Sequence, residues 1–124
     1  MGLILIVEDN EKNLKLVRDV LQFKGYQTIE AMTGTEGVRL ARERRPDLVL
    51  MDIQLPDING VTALAQLRAD AATKNMIVIA VSASVMPDDQ QRIMASGFDA
   101  YITKPINVKS FIETVEQFAG KPKG

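Results

Sequence analysis

Five apolar runs punctuate the chain: "LILIV" at 3–7, Tyr26 with "QTIEA" at 26–31, "LVLM" at 48–51, "MIVIAV" at 76–81, and Phe98 with "DAYIT" at 98–103. Most are continuous rather than alternating, which is how strands covered on both faces read. Between them the apolar residues take helical spacing. Leu14, Val17 and Leu21, with Leu16 and Val20 beside them, mark a first helix. Val38, Leu40 and Ala41 mark a second, and Val61, Leu64 and Leu67 a third. Ile93 and Met94 mark a fourth, and Phe111, Val115 and Phe118 a fifth. The punctuation agrees. Thr33 and Glu36 have capping-box spacing, and Asn59 and Asn107 stand where helix N-caps belong. Pro87 suits a first helical turn, and Gly25 and Gly97 suit helix C-termini. Strand then helix, five times over, predicts an α/β fold with a parallel sheet covered on both faces. No internal repeat or linker interrupts the pattern. The expectation is one domain over 1–119 and a tail, "GKPKG", over 120–124.

Composition narrows the chemistry. The chain has 124 residues, no Cys and no His. Disulfides, thiolate or imidazole zinc sites and Ser-His-Asp catalysis are therefore excluded. A formal net charge of −1 gives no global field toward nucleic acid or membrane. No apolar run approaches the roughly 20 residues of a membrane span. "MGLILIV" lacks a charged region ahead of it, and Ile6 stands where a myristoylation signal wants Ser or Thr. A cytoplasmic protein, binding neither nucleic acid nor membrane, is expected.

In a doubly wound sheet, ligands bind beyond the carboxyl ends of the strands. The first run is followed by Glu8 and Asp9, the third by Asp52, the fourth by Ser82, and the fifth ends in Thr103, Lys104 and Pro105. Chemically capable residues thus collect at one edge. Clustered carboxylates repel and raise one another's pKa, a conflict that a hard divalent cation removes. Magnesium beside Asp52, with Lys104 opposite and the Ser82 hydroxyl near, makes a cradle for phosphoryl transfer to Asp52 as nucleophile. Blander readings exist for each part. Asp52 could cap the turn before Pro56, and Glu8 and Asp9 could cap the first helix. "RLARERR" reads as a solvated helix end, and "GTEG" at 34–37 lacks the charge of a nucleic-acid loop. Met86 and Met94 read as core or interface filler.

"LIVEDN", "DLVLMDIQLPDING", "VSAS" and "AYITKPI" resemble, in order, the motifs of response regulator receiver domains. "VEDNEKNLKLV", "MDIQLP" and "YITKPINVKSFIETV" look most like the DivK-type single-domain regulators and like receivers attached to hybrid histidine kinases. The resemblance implies a flavodoxin-like (βα)5 fold with strand order 2-1-3-4-5. It implies Asp52 as phosphoacceptor and a Mg2+ ion, replaceable by Mn2+, on Asp9, Asp52 and the Gln54 backbone carbonyl, with Glu8 acting through water. Lys104 and the Ala83 backbone N–H would meet the phosphoryl oxygens. Ser82 would be the switch hydroxyl, in place of the commoner Thr, and Tyr101 the rotating aromatic. Lys104–Pro105 would be cis. Gln54 and Ser84 would flank the site where the family tunes hydrolysis.

The implied partners are a sensor histidine kinase or histidine phosphotransfer protein, and a downstream protein on the surface of the fourth helix, fifth strand and fifth helix. Val85, Met86 and Phe98 would supply apolar area there, and Lys109 and Glu113 rim charge. With no effector domain after Phe118, the signal is expected to leave by protein contact from a monomer or weak dimer. A receiver cut from a longer chain and a phosphate sink are the alternatives. A pseudo-receiver scaffold is opposed by the complete acid and lysine set. An aspartate-nucleophile phosphatase would want a second Asp where Gln54 stands. A flavin module would want a glycine-rich cradle where "EDNEKN" stands.

Overall fold

The computed structural model describes residues 2–83 and 86–120. Strands and helices alternate: β1 (Leu3–Val7), α1 (Glu11–Phe23), β2 (Gln27–Ala31), α2 (Gly34–Arg44), β3 (Leu48–Asp52), α3 (Gly60–Ala69), β4 (Val78–Ser82), α4 (Pro87–Ala95), β5 (Ala100–Thr103) and α5 (Val108–Ala119). The five strands form one parallel sheet in the order β2-β1-β3-β4-β5, the doubly wound flavodoxin-like arrangement.

The continuous apolar runs divide cleanly between the two faces, because successive side chains of a strand point to opposite sides. Ile4, Ile6, Leu48, Leu50, Ile79 and Val81 pack with Leu14, Val17 and Leu21 of α1 and with Phe111 and Val115 of α5. Leu5, Val7, Val49, Met51, Val78 and Ala80 pack with Val38 and Ala41 of α2, Leu64 and Leu67 of α3 and Ile93 of α4. Phe111 is 1% exposed, and truncating such a ring costs about 3–5 kcal/mol. No helix among the described residues is long and apolar enough to cross a membrane.

The caps follow the sequence. Thr33, Asn59 and Asn107 each accept a hydrogen bond from the backbone N–H three residues on, and Pro87 opens α4. Gly25 and Gly97 take positive φ after α1 and α4. At α1 the blander reading of Glu8 and Asp9 fails: the N-cap is Asn10, whose side chain accepts from the Asn13 N–H at 3.1 Å. β4 begins at Val78 rather than Met76, and the Met76 carbonyl accepts from the Arg68 guanidinium. "GTEG" forms the first turn of α2 rather than a loop. The basic end of α2 is an exposed helix end in which Arg39 pairs with Glu43 and Arg42 with Asp70. Met86 and Met94 are exposed, so neither fills the core. Phe98, by contrast, is buried at 5% exposure in the face beneath α3 and α4.

Candidate functional site

The carboxyl ends of β1, β3 and β5 lie together at one edge of the sheet. Glu8 follows β1 and stays in sheet register, its N–H bonded to the Ala31 carbonyl at 2.9 Å. Its side chain is thereby turned inward and buried, whereas Asp9, one residue later, is exposed. Asp52 is the last residue of β3 and is buried. Lys104 follows β5, and its backbone N–H donates to the Ser82 carbonyl at 2.9 Å.

The ammonium of Lys104 binds Asp52 Oδ2 at 2.7 Å and Glu8 Oε1 at 2.8 Å. The other oxygen of each carboxylate is also engaged. Asp52 Oδ1 accepts the Gln54 N–H at 3.0 Å, and Glu8 Oε2 accepts the Asn10 N–H at 3.2 Å. Among the described residues no buried side-chain nitrogen or oxygen lacks a partner. Burial, and then the hydrogen bond shared with Asp52, push the Glu8 carboxyl up to about 7, against the lowering effect of Lys104 and the Asn10 amide. Burial pulls the Lys104 ammonium down, but its bonds to Asp52 and Glu8 outweigh that and raise its pKa.

Oxygens of Glu8, Asp9 and Asp52 lie within 4.8 Å of one another. One ammonium against three carboxylates leaves surplus negative charge in an all-oxygen setting, the donor chemistry that suits magnesium. These residues line a cleft of about 380 Å3 together with Gln54, Leu55, Pro56 and the start of α1. Ser82 and Ala83 line a neighbouring groove of about 680 Å3 that runs to α4 and shares Gln54 with the cleft. Ser82 is buried and Ala83 exposed. Tyr101 stands apart on β5, half-buried against the face beneath α3 and α4. Lys104–Pro105 is cis, as the resemblance implies.

Two residues passed over in the sequence shape the site. Gly60 opens α3 directly beneath the end of β3, its N–H bonded to the Ile53 carbonyl at 2.8 Å. A Cβ there would collide with the Asp52 backbone carbonyl. Asp57 caps a different helix: its carboxylate accepts the Gly34 N–H at 2.8 Å and the Thr35 N–H at 3.0 Å. The Thr35 hydroxyl, chiefly, and these amides hold its carboxyl well below the usual range. A glycine straight after an N-cap asparagine and an acid straight after a proline are the only sequence traces of either.

Residues 4–116 match the family model described as response regulator receiver domain. The polar-differentiation response regulator DivK of Brucella anthropi is 49% identical over 117 residues, 94% of this chain and 95% of that protein. The Brucella ovis DivK is 48% identical over the same share. Among solved structures, the receiver domain of a Pseudomonas aeruginosa sensor histidine kinase superposes with a TM-score of 0.88 at 29% identity, covering 97% of this chain and 99% of that one. That structure has a magnesium ion coordinated in its active-site cleft. A CheY-like receiver domain protein of Methanospirillum hungatei superposes with a TM-score of 0.85 at 30% identity, covering 94% of this chain and 92% of that one.

Proposed function

The chain belongs to the response regulator receiver family, and we propose on that footing that it is a phosphorylation-dependent switch whose phosphoacceptor is Asp52. The observation that carries the reading is the bridge by which Lys104 joins Asp52 and Glu8 at the carboxyl edge, with Asp9 in reach. Family members are signalling proteins rather than turnover enzymes, so the chemistry is acceptance and later loss of one phosphoryl group.

An oxygen of Asp52 bonds to phosphorus as the bond from phosphorus to the donor's phosphohistidine nitrogen breaks, and that nitrogen keeps the electron pair. The Gln54 N–H fixes the orientation of the Asp52 carboxylate. Lys104, already held against Asp52, moves its ammonium onto a phosphoryl oxygen. Ser82 supplies a hydroxyl and Ala83 a backbone N–H to the remaining oxygens. Asp9, Asp52 and the Gln54 carbonyl would hold Mg2+ or Mn2+, with Glu8 acting through water. When bound, the ion screens the charge that the phosphoryl group brings.

The donor is a sensor histidine kinase or histidine phosphotransfer protein in the cytoplasm. The output leaves through α4, β5 and α5, where Met86 and Met94 are exposed and Lys109 and Glu113 stand at the rim. Phe98 is withdrawn from that surface by its burial, and Val85 and Ser84 lie outside the described residues. The receiver unit is 1–119, with the tail after it.

Intact-mass spectrometry after acetyl phosphate and Mg2+ tests the reading. One added phosphoryl group is expected, absent without the ion and absent in Asp52→Asn. Equal labelling of Asp52→Asn would overturn the assignment.

A further inference from the structure

We infer that Asp57 is a positioning residue for the phosphoacceptor, acting through the loop that joins β3 to α3. The inference rests on the reading of the site given above and extends it to a residue outside the cleft.

The first turn of α2 leaves backbone N–H groups with no partner in the helix. The Thr33 hydroxyl takes that of Glu36 at 3.1 Å, while the Thr33 carbonyl accepts the first intrahelical bond, from Gly37 at 3.0 Å. Those of Gly34 and Thr35 are bound by Asp57, which reaches across from the β3–α3 loop. Ile58 reinforces the contact. Its side chain lies so close over Gly34 that a Cβ there would collide with it. The tip of the loop is thus fastened to α2 at two adjacent residues.

Its base is fastened too. The Gly60 N–H closes the loop onto the Ile53 carbonyl at 2.8 Å. Between base and tip lie Gln54, Leu55 and Pro56 on one arm and Asn59 on the other. The proline fixes one backbone torsion of this short span. Gln54 is the part that matters, because its N–H holds Asp52 Oδ1 at 3.0 Å and its carbonyl is a proposed ion ligand. Moving the tip off α2 moves the Gln54 peptide, and with it both the aim of Asp52 and one ion ligand. Asp57 touches neither, so it acts at second hand.

A plain helix cap would affect stability alone, and Thr33 provides the control, since it caps the same end of the same helix. The full chain is compared with Asp57→Ala, Asp57→Asn and Thr33→Ala. Thermal unfolding, amide exchange at Gln54 without metal, Mg2+ titration and acetyl phosphate labelling are read for each. Asp57→Ala is expected to speed Gln54 exchange, weaken Mg2+ binding about tenfold and slow labelling, as loss of an outer-shell support does. Asp57→Asn should fall between, because its amide offers only one acceptor oxygen. Thr33→Ala should lower the melting temperature yet leave Gln54 exchange and Mg2+ affinity within about a factor of two. If Asp57→Ala merely melts earlier, with wild-type exchange and affinity, the positioning role is overturned. If the wild-type chain takes neither Mg2+ nor phosphoryl, the reading of the site fails, and the inference with it; unaltered labelling in a chain that does bind would strike the inference alone.

Discussion

Lys104 stands 2.7 Å from Asp52 and is the internal counter-ion of the buried acid pair at the sheet edge. Removing it leaves Glu8 and Asp52 facing each other without compensation. Lys104→Ala should destabilise the metal-free chain by about 3 kcal/mol, the low end for breaking a buried pair, because Glu8 can take up a proton. Mg2+ should restore most of that loss, and affinity for the ion should be kept. Urea unfolding with and without Mg2+ checks this; a variant that no longer binds the ion would contradict it.

The raised pKa of Glu8 sets a pH dependence with a definite sign. The folded chain keeps the Glu8 proton up to about pH 7, whereas the unfolded chain loses it near 4.5. Across that window the native state binds more protons, so its stability falls as pH rises, by about 3 kcal/mol in all at 1.36 kcal/mol per unit. Above the window the contribution is flat. In metal-free buffer Glu8→Gln should flatten this limb of the stability curve. Persistence of the limb in Glu8→Gln would assign it elsewhere.

Exposure and reach rank the acidic residues as ion ligands. Asp9→Ala should reduce Mg2+ affinity steeply, by removing a direct oxygen, and Glu8→Ala less, by removing a water contact. Calorimetric titration of both variants tests the order. A stronger loss in Glu8→Ala would place Glu8 on the ion directly.

Gly60 has no room for a side chain beneath Asp52. Gly60→Ala must displace backbone rather than a flexible side chain. It should cost about 1–3 kcal/mol, as overpacking does, and slow phosphorylation. Paired unfolding and labelling measurements decide the matter, and wild-type labelling would show the strand end to be tolerant.

For the output surface, amide shifts with a beryllofluoride mimic should spread from the cleft through α4 and β5 to Tyr101. Shifts confined to the loops around Asp9, Asp52 and Lys104 would leave the chain a phosphate store without a switching face.

Much of this was legible in the sequence, for particular reasons. Runs such as "LVLM" are apolar at every position, as strands covered on both faces are, and the polar residues after four of the five runs mark the edge where ligands gather. Asn59 and Asn107 announce their helices through a bond three residues long. Asp57 was invisible by the same logic. Its partners Gly34 and Thr35 are 23 and 22 residues away, and no local period links them. Phe98 misled because an aromatic before a strand reads as surface or core alike, until α3 and α4 close over it. Ahead of β4, the reach of Arg68 to the Met76 carbonyl is likewise tertiary.

The full pairing of the buried acids in the metal-free chain has a consequence for how the domain meets its surroundings. An ion held on Asp9 and Asp52 as proposed would enter a site whose buried acids Lys104 already bridges, so it would gain only the difference between two good arrangements. The chain can then fold without the ion, and on the proposed reading the fraction of molecules ready to accept a phosphoryl group would follow free magnesium. On that reading the domain would answer two inputs at once, its phosphodonor and the magnesium around it, and the second would set the gain of the first.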